Sequence, residues 1–203
     1  MDDFILYFKM GLNHVLDFSA YDHILFLIVL AVVFNSNQWK KVLWLVTLFT
    51  IGHSITLALA ALNIISFSTT LVEFLIPVTI LLTSLFNVWK RDASETSQTL
   101  FTKKINITYL LALFFGTIHG MGFSNFLRAT LMPGEEDALI AQLFAFNIGV
   151  ELGQLIFIGI VMVLWQVLKK INLPYPKWTW KILPYAMGII ASFWLVERVV
   201  AFW

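Results

Sequence analysis

Long apolar runs separated by short polar segments dominate the sequence, and they predict an all-α membrane protein. A helix needs roughly 20 mostly apolar residues to cross a bilayer. The pattern predicts six transmembrane helices, over about 22–36, 41–62, 70–89, 105–127, 139–168 and 181–203. Together they form a single transmembrane domain over residues 1–203, in which residues 90–104 are a polar cytoplasmic linker between two three-helix halves.

The segment before the first run, about residues 2–18, has a different pattern. Apolar residues recur every four positions from Phe4 to Leu16, whereas Lys9 and Asp17 occupy another face. This spacing predicts an amphipathic helix that lies in the membrane interface or re-enters the membrane. The predicted fold is therefore a six-helix transmembrane bundle preceded by an N-terminal interfacial or re-entrant helix.

Composition supports this fold and excludes several classes of protein. The 203 residues are 60% hydrophobic and only 12% charged, against about 25% charged in a soluble domain. The net charge of +1 provides no basic field for nucleic acid. Cysteine is absent, which excludes disulfides, thiolate metal sites and a cysteine nucleophile.

The basic residues are distributed unevenly between the predicted loops, and this predicts an orientation. The positive-inside rule places loops rich in lysine and arginine in the cytoplasm. Both termini then face outside. Ten of the 13 basic residues fall in alternate loops: Lys40, Lys41, Lys90, Arg91, Lys103, Lys104, Lys169, Lys170, Lys177 and Lys181.

Ionisable residues inside membrane spans are costly and usually functional. The predicted orientation places all four histidines in the outer half of the membrane. Asn147, Glu151 and Gln154 share one helix face, since they are spaced i, i+4, i+7. Pairs of glycines four residues apart flank Glu151 and lie beside His119, which predicts close helix packing there.

Imidazole and carboxylate ligands together suit Ni, Co, Zn and similar ions. The predicted metal ligands are His14, Asp22, His23, His53, His119 and Glu151. The residues predicted to support them are Asp17, Ser54, Glu73, Asn147 and Gln154. The competing interpretation is structural: hydrogen bonds between helices, a capping box in which Asp22 pairs with Ser19, and an interfacial charge at Glu73.

Five ordered motifs resemble the HupE/UreJ family of bacterial membrane proteins, and they cover nearly the whole chain. They are HVLDFSAYDHILFLIVL (14–30), FTIGHSITLALAAL (49–62), VEFLIPVTI (72–80), FFGTIHGMGFSNFL (114–127) and FNIGVELGQL (146–155). The resemblance implies a nickel or cobalt permease or accessory protein of a bacterial inner membrane, in which outward-facing termini are periplasmic. Metalloenzyme-maturation partners or a homo-oligomer are the expected assemblies. The family's polar positions correspond here to His14, Asp22, His23, His53, Ser54, Glu73, His119, Asn147, Glu151 and Gln154.

Three functions remain open at this stage. The first is binding and transport of a divalent transition-metal ion, with Thr79, Thr83, Ser84 and Asn87 as the only polar continuation toward the cytoplasm. The second is an intramembrane metal-dependent hydrolase or transferase. There Glu151 or Asp22 is the general base, and Ser54 or Asn147 orients the substrate. The third is a structural subunit whose polar residues only fix helix packing.

Overall fold

The structure is entirely helical in the residues that it describes. It is a computed structural model that covers residues 2–17, 21–31, 38–66, 68–96, 107–130, 138–170 and 179–201. Within these ranges the chain forms seven helices: α1 (Asp2–Leu16), α2 (Tyr21–Ala31), α3 (Trp39–Ala61), α4 (Thr69–Thr96), α5 (Ile107–Thr130), α6 (Leu139–Lys170) and α7 (Thr179–Ala201).

Five of these helices, α3 to α7, are long and apolar enough to cross a membrane, which confirms a membrane-type helical protein. The first predicted span coincides with α2, which is apolar but has only 11 residues. Residues 32–36 of that span lie outside the described residues, so the count of six spans stays a prediction. The N-terminal segment is helical, as its periodicity predicts, and its placement in the interface also stays a prediction.

The apolar span of α4 ends at Trp89, where the sequence pattern places the end of the third span, although the helix itself is longer. Helix α4 continues through Thr96, into the segment predicted as linker from residue 90 onward. The physical reason is that residues 90–96 contain neither glycine nor proline, so nothing ends the helix where its apolar run ends. The rest of the linker, residues 97–104, lies outside the described residues.

Close helix pairs bring the histidine-bearing helices together. Helix α5 packs so closely on α3 that a Cβ added at Gly120 would overlap the main-chain carbonyl of His53. Helix α6 packs on α1 in the same way, since a Cβ at Gly149 would overlap the carbonyl of Phe8. Glycine at these positions lets two backbones approach, as the glycine spacing predicts. The partner helix in each pair is evident only from the structure.

Helix α2 lies in the interior of the bundle despite its short length. Phe26, Leu27 and Val29 are almost completely buried, and the helix contacts α1, α4, α6 and α7. Its first turn carries Asp22, while the last turn of α1 carries His14. The junction between α1 and α2 therefore places polar side chains at the centre of one end of the bundle.

Candidate functional site

Four histidines from four different helices meet at this end of the bundle. The ring centroids of His14 and His23 are 4.5 Å apart, and those of His23 and His119 are 5.3 Å apart. The His53 ring lies 6.2 Å from that of His14. We call these four residues the imidazole cluster. All four histidines of the sequence therefore belong to one site.

The imidazole cluster is packed among aromatic rings and has little contact with solvent. His53 is 0% exposed, His119 2% and His23 6%. Phe49 contacts both His53 and His119, with centroid distances of 6.3 Å and 5.2 Å. Phe146 stacks on His53 at 6.1 Å. These rings hold the imidazoles in an apolar setting, where polar atoms depend on partners supplied by the protein.

Three of the imidazoles are oriented by an acceptor at Nδ1. His119 Nδ1 lies 2.9 Å from the main-chain oxygen of Phe115, and His23 Nδ1 lies 2.9 Å from Asp22 Oδ1. A carbonyl or an ionised carboxylate can only accept a hydrogen bond, so in both rings the N–H is on Nδ1. The other ring nitrogen, Nε2, then carries the free lone pair in the neutral imidazole.

The same reasoning applies to His53 through the amide of Asn147. The amide nitrogen of Asn147 donates to the carbonyl of Leu143 at 2.8 Å, which turns its oxygen toward the imidazole. His53 Nδ1 lies 3.3 Å from that oxygen, so it is the donor. The helix face predicted to carry Asn147 thus supplies the group that orients His53.

The four Nε2 atoms share one property. Each is buried, and none has a hydrogen-bond partner. Such atoms are rare in folded proteins, and each one calls for an explanation. An imidazole whose Nδ1–H is held by a carboxylate or carbonyl while Nε2 is left open has the arrangement of a typical metal-ligating histidine.

The imidazole rings of the cluster have separations close to those of rings that share a metal ion. Within the described part of the chain, no three His, Asp or Glu side chains are arranged so that they could hold a metal ion. Imidazoles that share a tetrahedral ion at about 2.1 Å from each nitrogen have ring centroids about 5 Å apart. The observed separations of 4.5 to 6.2 Å bracket this value. The ring spacing is therefore compatible with a shared ion, although the ligand atoms as placed do not form a metal site.

Among the described residues, the carboxylate of Asp22 accepts its hydrogen bonds from the next residue, His23. Oδ1 accepts the backbone N–H of His23 at 2.8 Å as well as its ring N–H. Asp22 therefore both anchors the start of α2 and orients the His23 ring. Ser19, the other residue of the predicted capping box, lies outside the described residues.

Glu151, Gln154 and Ser54 have partners away from the imidazoles. Thr47 donates to Glu151 Oε1 at 2.6 Å, and Thr50 donates to Gln154 Oε1 at 3.2 Å. We call these two pairs the α3–α6 polar row. The hydroxyl of Ser54 donates to the carbonyl of Thr50 on its own helix, at 2.6 Å. Glu151 thus shares a helix face with Asn147, as predicted, but its carboxylate binds a threonine.

A cavity of about 520 Å³ connects the imidazole cluster with the surface of the bundle. His14, His23 and His119 line it, together with Asp22. At its other end lie three charged residues, Glu73, Glu197 and Arg198. Glu73 and Arg198 form an ion pair of 3.3 Å between α4 and α7. Glu73 is therefore at the mouth of the cavity and away from the imidazoles.

The remaining sequence-predicted residues lie at the end of α1 and on α4. Asp17 is exposed just after the end of α1. Thr79, Thr83, Ser84 and Asn87 are all buried along α4, where Asn87 donates to the carbonyl of Val29 at 2.8 Å. These four side chains therefore point into the bundle. Their role in the path of an ion toward the cytoplasm stays a prediction.

Sequence reasoning missed three contributors to the site. The carbonyl of Phe115 orients His119, and a main-chain atom leaves no signal in residue types. Thr47, the partner of Glu151, is a common residue in transmembrane helices. Arg198 lies 125 positions after Glu73 in the sequence, and only the fold brings the two side chains together.

The chain matches the model of one protein family over almost its whole length. The model of the family described as HupE / UreJ protein matches residues 1–198. No curated protein and no solved structure matches the chain.

Proposed function

Because the chain belongs to the HupE/UreJ family, we propose that it binds a divalent transition-metal ion with the imidazole cluster and transports it as its substrate. Nickel and cobalt are the ions that the family suggests. The observation that carries the proposal is the set of four buried Nε2 atoms without partners. An imidazole nitrogen with a free lone pair is the preferred ligand for such ions.

In this proposal each partner of an imidazole has a defined role. Asp22, Asn147 and the carbonyl of Phe115 keep the Nδ1–H of three rings occupied, so that the Nε2 lone pairs are left free for the ion. Hydrogen bonds of this kind fix the ring orientation and make the ligating nitrogen more basic. The imidazoles then replace water molecules bound to the arriving ion, which offsets the cost of moving it out of bulk water.

The distribution of basic residues in the sequence supports an orientation in which the cavity opens to the outside. Ser68, just before α4, is then at the outer surface, and Lys40, at the start of α3, is at the cytoplasmic surface. Because the chain contains no cysteine, the variants Ser68→Cys and Lys40→Cys each carry a single thiol. We expect a membrane-impermeant maleimide added to intact cells to label the first variant. Labelling of the second alone would reverse the orientation.

The enzyme hypothesis draws less support from the described contacts. It requires Glu151 or Asp22 as a base near a metal-bound water and Ser54 to orient a substrate. Glu151 accepts a hydrogen bond from Thr47, and Ser54 donates to the backbone of its own helix. Asn147, the other residue named to orient a substrate, already accepts a hydrogen bond from one imidazole, and Asp22 lies beside another.

The direct test is equilibrium binding of Ni²⁺ to the purified protein, followed by uptake into proteoliposomes. We expect one ion per chain for the wild type and loss of both binding and uptake for His119→Ala. Ser124→Ala is the matched control. Ser124 is a buried residue of the same helix, and its hydroxyl donates a hydrogen bond to the main-chain carbonyl of Met121. Stoichiometric binding without accumulation would contradict transport, and absence of binding would contradict the proposal as a whole.

A further inference from the structure

The cavity beside the imidazole cluster has two chemically different ends. Its inner end is formed by the imidazoles of His14, His23 and His119. Its mouth carries Glu73, Glu197 and Arg198, all of them exposed. An ion that reaches the imidazoles by this route first passes a region where its possible contacts are with carboxylates.

The charged side chains of the cavity favour a divalent cation. The cavity is lined by three carboxylates and one guanidinium, those of Asp22, Glu73, Glu197 and Arg198. Their formal charge is −2, equal and opposite to that of a divalent ion. A cleft lined by one sign of charge raises the local concentration of oppositely charged ions and their rate of association.

The size of the cavity is suited to an ion that still holds its water. A first hydration shell of six water molecules occupies about 180 Å³, at about 30 Å³ for each molecule. The cavity of about 520 Å³ accepts such an ion with room to spare. A bare ion is much smaller than the cavity, whereas the hydrated ion occupies about a third of its volume.

An independent observation shows that the cavity leads to a ligand site. His23 and His119 line it and are themselves 6% and 2% exposed. Their Nε2 atoms have no partner in the protein. The carboxylates at the mouth therefore do not stand alone as an acidic patch, because the cavity behind them ends at unpaired ligand atoms.

We propose that this cavity is a vestibule that binds a divalent cation with its hydration shell intact, and that Arg198 restricts access to it by holding Glu73. The proposal rests on the proposed metal-binding function and adds a second, outer site to it. In the vestibule the carboxylates contact the water of the ion, and dehydration takes place only at the imidazole cluster.

The ion pair at the mouth is of a kind that an arriving cation can displace. The side chains of Arg198 and Glu73 are 45% and 46% exposed, and exposed ion pairs of this kind are weak. A divalent cation that approaches Glu73 competes with the guanidinium, which then moves into solvent. Arg198 is thus a positioning residue, and it acts on the ion through Glu73.

The test is the rate at which Co²⁺ reaches the imidazole cluster of the purified protein, followed by the visible absorption of the bound ion in a stopped-flow experiment. Charges at the rim of a site change the association rate and its salt dependence more than the dissociation rate. We expect Arg198→Gln to raise the association rate constant roughly three- to tenfold in about 0.01 M salt. This gain should disappear in about 1 M salt.

Lys40→Gln is the matched control, since it removes the same charge from an exposed residue at the start of α3, outside the cavity. Its association rate should equal that of the wild type. Glu197→Gln is the second variant, because it removes a carboxylate from the mouth without breaking the ion pair between Glu73 and Arg198. We expect it to lower the association rate by a similar factor.

Mg²⁺ distinguishes the vestibule from the imidazole cluster. Mg²⁺ keeps most of its water when it binds and disfavours nitrogen ligands. We therefore expect excess Mg²⁺ to slow the capture of Co²⁺ by the wild type without displacing Co²⁺ already bound. The slowing should be weaker in Glu197→Gln and stronger in Arg198→Gln.

Two results would contradict the proposal that the cavity is a vestibule for a hydrated ion. An unchanged or lower association rate in Arg198→Gln would show that the ion pair only braces α4 against α7. Insensitivity to Mg²⁺ would show that no hydrated ion is held at the mouth. Both results leave equilibrium binding of Co²⁺ at the imidazole cluster intact, whereas failure of the proposed function would remove that binding itself.

Discussion

The imidazole cluster and the α3–α6 polar row are both polar groups inside an apolar helix bundle, but they differ in how their atoms are satisfied. In the row, the hydroxyls of Thr47 and Thr50 donate to acceptors on α6. In the cluster, each imidazole leaves one buried nitrogen without a partner. Among the described residues, no buried atom of the row lacks a hydrogen-bond partner, whereas four nitrogens of the cluster do.

This difference separates a structural role from a binding role. A buried polar group without a partner destabilises a protein by about 1–3 kcal/mol, so four such nitrogens at one point are a substantial cost. A ligand that occupies all of them offsets this cost only when it is bound. We therefore expect changes in the cluster to affect metal affinity and changes in the row to affect stability.

The largest effect is expected from removal of an imidazole. Loss of an outer hydrogen-bond partner already weakens metal sites about 10- to 100-fold, so His23→Ala should weaken Ni²⁺ binding by more than about 100-fold. The variant removes a nitrogen without a partner and also the hydrogen bond to Asp22, so its melting temperature without metal is measured to separate loss of a ligand from loss of the fold. Calorimetric titration and a melting curve measure the two quantities on one sample. Unchanged affinity would make the cluster a packing feature.

A smaller effect on affinity is expected from the group that orients His53. Asn147→Leu removes the acceptor 3.3 Å from His53 Nδ1, and we expect Ni²⁺ affinity to fall about 10- to 100-fold. Asn147→Asp keeps an oxygen at this position and should restore most of the affinity. If both variants bind Ni²⁺ like the wild type, the hydrogen bond has no part in orienting a ligand.

The row should respond in the opposite way. Thr47→Val removes the hydroxyl that donates to Glu151 at 2.6 Å. We expect the free energy of unfolding to fall by about 1–3 kcal/mol, because the carboxylate loses its donor. Ni²⁺ affinity should stay the same, and Thr47→Ser should restore stability. A loss of affinity without a loss of stability would move Glu151 into the metal site.

The smallest effect is expected at the second pair of the row. Thr50→Val removes a hydrogen bond of 3.2 Å between two neutral groups, and such bonds contribute about 0.5–1.5 kcal/mol. Denaturation in mild detergent should show a loss in this range and no change in Ni²⁺ binding. A loss larger than that of Thr47→Val would reverse the order of the two pairs.

The sequence predicts the helices well because long apolar runs have few alternatives. The runs that became α3 to α7 are continuous enough to indicate spans by length alone. Helix α2 is harder, since polar residues precede it and its described part has only 11 residues. Hydropathy places the end of the third span correctly at Trp89, but it does not show that helix α4 continues through Thr96.

The site is predictable in its residue types and less so in its contacts. Histidines in apolar runs stand out, and the structure brings all four together. Glu151 stood out for the same reason, yet its partner is Thr47. A sequence shows that a polar group is buried, but the atom that satisfies it depends on helix packing. The ion pair of Glu73 with Arg198 joins residues 125 positions apart and depends on packing in the same way.

The central claim is that the imidazole nitrogens are the ligands of a divalent ion. X-ray absorption of the Ni²⁺-loaded protein reports this directly, since imidazole rings give a distinct multiple-scattering pattern. We expect at least three imidazole ligands in the wild type and in Thr47→Val, and fewer in His119→Ala. A spectrum with only oxygen ligands in the wild type would contradict the claim.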